Sequence, residues 1–111
     1  MKKSMPAEPV DLGGLVSYET GAVVSNTLHK DAAGTITAFA FDADEELSEH
    51  TAPFEAFLQV FDGQAEITVG GTPHIVAAGQ FLRLPANVPH GVRAVDRFKM
   101  LLTMMRADRV A

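Results

Sequence analysis

From Leu15 onward the chain alternates short apolar-polar runs with turn residues. The clearest run sets Ala65, Ile67 and Val69 against Glu66 and Thr68. A period of two puts those apolar side chains on one face of a strand. Gly70-Gly71 then offers the positive φ angles of a tight hairpin, with Thr72 to Val76 as its return strand. Pro73 cannot donate to a ladder, so that return strand reads as an edge. Ala22 to Leu28 is rich in β-formers, and Lys30 to Gly34 makes a polar turn. Thr35 to Phe41 places Ile36, Ala38 and Ala40 on one face and Thr35, Thr37, Phe39 and Phe41 on the other. Asp42 to Glu49 is acidic and reads as a loop. Glu55 to Phe61 is apolar on both faces: Ala56, Leu58 and Val60 on one, Phe57 and Phe61 with Glu55 and Gln59 on the other. Asp62-Gly63 reads as the turn that ends it. Gln80 to Leu84 is a short strand stopped by Pro85, and Pro85 and Pro89 fix a rigid loop. Phe98 to Met105 fits both a helix face (Phe98, Leu101, Leu102, Met105) and a strand face (Phe98, Met100, Leu102, Met104). Turns every 8–12 residues or so point to an all-β sandwich or barrel, and in that setting the last segment is a final strand.

Composition narrows the picture. A length of 111 residues allows one domain, here 13–111, preceded by a flexible arm at 1–12 whose prolines and mixed charges give it little to bury. The apolar fraction of 47% is that of an ordinary globular protein. With no cysteine, disulfides and thiolate ligands are excluded. A net charge of -5 argues against nucleic acid as a partner. No apolar stretch follows Lys2 and Lys3 as a secretory signal would require, and none has the roughly 20 residues of a membrane span, so the expected location is the cytoplasm, with no membrane partner. Phosphate loops, nucleophile elbows and zincin motifs are absent.

Two stretches carry the chemistry. One runs from Glu49-His50-Thr51-Ala52-Pro53 to Asp62-Gly63, the other from Gly79 through Pro85 to His90. In this order and spacing they resemble the paired motifs of the cupin superfamily, over roughly residues 21–105. The resemblance implies a double-stranded β-helix, the jelly-roll barrel. It also implies a divalent transition metal such as Zn, Ni, Fe or Mn, held by two histidines two residues apart, a glutamate and a histidine of the second motif. In this chain only His50 and His90 match ligand positions; Ala52 and Ala56 stand where the other two would be. Glu55 is one residue off, which in a regular strand turns it to the opposite face. A bulge after Pro53 would return it to the interior, where it would be a candidate general base.

The expectation is therefore a small single-domain cupin that binds a small molecule at the barrel mouth, near His50 and His90, with no firm cofactor and the divalent metal only as a possibility. Two alternatives stand beside it. One is a metal-dependent oxygenase or isomerase using His50 and His90 as metal ligands. The other is a dimeric scaffold or sensory module. Phe57 and Phe61 on an outward face favour cover by a second protomer, and cupins are commonly homodimers. His29 and His74 read as surface residues, Met100, Met104 and Met105 as core filling, and the acidic run from Asp42 to Glu46 as a solvated loop.

Overall fold

A computed structural model of the chain describes residues 3–106. The described residues form nine strands: β1 (Lys3–Ser4), β2 (Val23–Asp31), β3 (Gly34–Phe41), β4 (Glu46–His50), β5 (Glu55–Val69), β6 (Thr72–Ala77), β7 (Phe81–Leu84), β8 (His90–Arg93) and β9 (Phe98–Met105). All pairings are antiparallel. One face of the barrel runs β1-β2-β3-β9-β5-β7, and the other runs β6-β5-β8-β4. The architecture is the all-β jelly-roll barrel the motifs implied.

β5 belongs to both faces. Its first half pairs with β7 and β9, its second with β6 and β8. The Asp62-Gly63 pair expected to end a strand instead bulges a continuous one: the register against β9 slips between Val60 and Asp62. The extra residue changes the inward phase from even numbers (Ala56, Leu58, Val60) to odd ones (Ala65, Ile67), all buried. Gly63 has φ +69°, and a Cβ there would lie 2.3 Å from the Arg97 carbonyl oxygen. The bulge thus needs a glycine both for its backbone angle and for space.

The barrel interior is filled by Phe41, Leu58, Val60, Ile67, Leu84, Val92, Phe98 and Met100 among others. Phe41 stacks on Phe98, centroids 4.6 Å apart. The final segment is a strand, with Phe98 and Met100 buried and turned inward, so the period of two prevails over the helical reading. A second apolar cluster sits on the outer face, where Leu28, Ala38, Ala40, Phe61 and Leu101 are covered by Met5, Leu15, Val16 and Tyr18. Phe61 is therefore half-buried against its own chain. The segment read as an arm with little to bury supplies Met5 to this cover, and Lys3 and Ser4 pair with Lys30 and His29.

Candidate functional site

The acidic stretch is not wholly a loop: from Glu46 it forms β4, which pairs with β8. Leu47 lies opposite Val92, and His50 lies opposite His90. Three steps along β4 thus match two along β8, a bulge at Ser48-Glu49. Its consequence is directional. Without it, His50 and Leu47, an odd number of residues apart, would point to opposite faces. With it, His50, itself exposed, shares the face of Leu47, His90 and the buried Val92. Nothing in the amino-acid pattern of Ser48-Glu49 signals this bulge.

The loop after His50 and the loop before His90 are tied together. Asn87, at φ 64°, donates its N–H to the Ala52 carbonyl at 2.8 Å. Gly70 of the Gly-Gly hairpin donates to the Pro89 carbonyl at 2.8 Å. The rigid loop between Pro85 and Pro89 therefore fixes the approach of β8 to both β4 and the hairpin.

The two imidazoles meet edge to face, with ring centroids 4.5 Å apart. His50 Nδ1 lies 3.1 Å from the Ser48 carbonyl, and His90 Nδ1 lies 3.4 Å from the Val88 carbonyl. A carbonyl only accepts, so in the neutral imidazole each Nδ1 carries the proton and each Nε2 the lone pair. Among the described residues neither Nε2 has a hydrogen-bond partner. Burial holds the His90 imidazole below its ordinary pKa, helped by the adjacent His50 and opposed by the Val88 carbonyl. His90 is thus a neutral acceptor or ligand near pH 7.

Glu55 is placed elsewhere. Its neighbour Ala56 faces inward and is buried, while the Glu55 carboxylate accepts from Arg83 Nε at 2.6 Å and from the Ala86 N–H at 2.9 Å. These donors, Arg83 foremost, hold its pKa below the usual carboxylate value. A carboxylate so engaged is a weak base and binds the loop after β7. Sequence gave no sign of this pair, because Arg83 meets Glu55 only through the β5–β7 register. Among the described residues no group of three or more His, Cys, Asp or Glu side chains is placed to hold a metal ion. His74 is exposed on β6, and His29 is half-buried on β2, away from the pair.

The cupin domain family model matches residues 38–105, which include both histidines and both motif loops. The chain belongs to the cupin family. It is 34% identical to a conserved protein of unknown function from Streptococcus pyogenes, with a TM-score of 0.87 over 93% of this chain and 90% of that one. A cupin 2 conserved barrel domain protein from Leptotrichia buccalis is 37% identical, with a TM-score of 0.84, over 87% of this chain but only 47% of its own. A cupin superfamily protein from Desulfitobacterium hafniense is 25% identical, with a TM-score of 0.87, over 96% and 99% of the two chains. No curated protein matches the chain. Among the described residues of this cupin, no helix is long and apolar enough to cross a membrane.

Proposed function

We propose that this cupin binds a small polar molecule at the barrel mouth, oriented by His50 and His90. The observation that carries the reading is the cross-strand pair itself: two imidazoles 4.5 Å apart, His50 Nδ1 on the Ser48 carbonyl of its own strand and His90 Nδ1 on the Val88 carbonyl of the preceding loop. Neutral Nε2 atoms accept hydrogen bonds from ligand hydroxyls; on protonation they donate to an anion. The apolar inner wall, with Leu47 and Val69 beside the histidines, suits the rest of a small ligand.

The metal-dependent alternative meets a donor set of two imidazoles. Firm transition-metal sites take at least three protein ligands, so these residues do not by themselves fit a tightly held ion. The experiment is metal analysis of protein purified without an affinity tag, joined to nitrogen NMR of the imidazoles during titration with small hydroxy acids. Sub-stoichiometric metal after mild chelation, with Nε2 of His50 and His90 shifting together, supports the reading. A stoichiometric metal that survives chelation overturns it and favours the metal-dependent enzyme.

Homodimerisation is a second part of the proposal, favoured by one observation. Phe57 stacks on Phe81, centroids 5.7 Å apart, while Phe81 is 65% exposed. An aromatic pair left open on a sheet face suits a second protomer. Sedimentation at micromolar concentration tests it: a dimer dissociated by Phe81→Glu supports it, and a monomer overturns it.

A further inference from the structure

Outside the barrel, β1 and β2 bring together three side chains that no motif connected. His29 Nδ1 lies 3.0 Å from Ser4 Oγ, and His29 Nε2 lies 2.8 Å from Asp31 Oδ2. Asp31 is itself fixed, its other oxygen accepting the Ala33 N–H at 2.8 Å. The bond from His29, followed by that from Ala33, keeps this carboxylate below its ordinary pKa. An ionised carboxylate only accepts, so in the neutral imidazole Nε2 carries the proton and Nδ1 presents its lone pair to the serine. The hydroxyl has one proton, and the Met5 carbonyl at 3.4 Å is a poorer acceptor than the imidazole. Beside His29 and Asp31, on the β3 side away from Ser4, opens a groove of roughly 230 Å³ whose lining includes Ile36, Thr103 and Met105.

We infer that Ser4, His29 and Asp31 form a nucleophilic centre, separate from the barrel mouth, that acts on small carboxylic esters. Ser4 Oγ forms a bond to the ester carbonyl carbon while its proton passes to His29 Nδ1. The bond to the leaving alkoxide breaks, and His29 returns the proton to that oxygen, releasing the alcohol. Water then attacks the acyl-serine, giving a proton to His29. The Oγ–acyl bond breaks, the carboxylic acid leaves, and Ser4 recovers its proton. Asp31 is the positioning residue: it holds the tautomer that leaves Nδ1 unprotonated.

The test uses the full chain with diisopropyl fluorophosphate and 4-nitrophenyl acetate. Peptide mass spectrometry is expected to find one phosphorylated serine, Ser4. Labelling is lost in Ser4→Ala, and its rate falls about tenfold or more in His29→Gln. Both variants are checked for unchanged circular dichroism, and Ser4→Thr is expected to retain partial labelling. His50→Ala with His90→Ala leaves labelling intact, which separates this centre from the barrel site. Asp31→Asn is expected to lower the ester turnover number with KM little changed. A Ser4 labelling rate equal to that of other exposed serines, or ester turnover unchanged in Ser4→Ala, overturns the proposal.

Discussion

Tyr18 donates its hydroxyl to Asp62 Oδ2 at 2.6 Å, joining residues 44 apart in sequence. Asp62 stands in the β5 bulge, and the ring of Tyr18 lies 5.1 Å from the Arg97 guanidinium and 4.9 Å from the Lys99 ammonium. Burial, followed by the bond to Asp62, raises the Tyr18 pKa, so the phenol remains a donor throughout the neutral range. Lys99 also donates to the Gly13 carbonyl at 3.0 Å. This corner fastens the segment whose Leu15 and Val16 cover the outer apolar cluster. Tyr18→Phe removes only the hydroxyl, and a hydrogen bond to a charged, part-exposed acceptor contributes about 1 kcal/mol. Thermal denaturation is expected to show a Tm lower by about 4–8 °C. An unchanged Tm would show that packing alone holds the segment down.

The bulge itself is the next test. Gly63→Ala must adopt a left-handed angle, costing about 1–2 kcal/mol, and must also displace the Arg97 backbone from 2.3 Å. A destabilisation above about 3 kcal/mol in urea is expected, or failure to accumulate folded protein. Gly71→Ala is the control. Its φ is +82° but a Cβ there meets nothing within 4 Å, so only the conformational cost of about 1–2 kcal/mol applies. Equal costs at the two positions would mean that Arg97 gives way.

The same bulge explains what could be read from the sequence. Alternation in Glu55–Phe61 and again in Ala65–Val69 was plain, but the two runs are out of phase, and a turn between them was the simplest repair. A bulge repairs the phase equally well and lets one strand serve both sheets. Motif spacing located His50 and His90 but could not orient His50, because that depends on the register slip at Ser48-Glu49. Phe61 read as an open face because segment 5–18 carries no periodic signal, and its cover arises from single contacts such as Asn26 Nδ2 to the Leu15 carbonyl at 2.8 Å. Glu55 with Arg83 and His29 with Ser4 are cross-strand pairs that only a known register brings together.

His90 makes stability depend on pH with a definite sign. Its folded pKa is lowered by burial, so near and below the unfolded value of about 6.5 the unfolded chain binds more protons. Stability is then full above pH 6.5 or so and falls as pH drops from there through the folded pKa, below which this contribution is constant. Urea titrations between pH 5 and 8 are expected to show a shallower acid loss in His90→Gln than in the parent. Identical slopes would place the imidazole in contact with water in the folded state.

The barrel mouth also admits a constructive test. Ala56 faces inward, is buried, and lies in register with Leu84 and Met104, while Ala52 sits in the loop just after His50. Ala52→His with Ala56→Glu adds two donors to His50 and His90. Without metal the new carboxylate is buried without a charged partner and destabilises the fold. Four-ligand zinc sites are worth roughly 10–16 kcal/mol, so two added ligands are expected to raise Zn affinity about a hundredfold or more over the parent. Because the ion binds the folded state, Zn is expected to restore the Tm of the double variant while leaving the parent little changed. If Zn raises neither affinity nor Tm, then His50 and His90 do not aim at a common point, and the ligand-orienting role assigned to the pair fails with it.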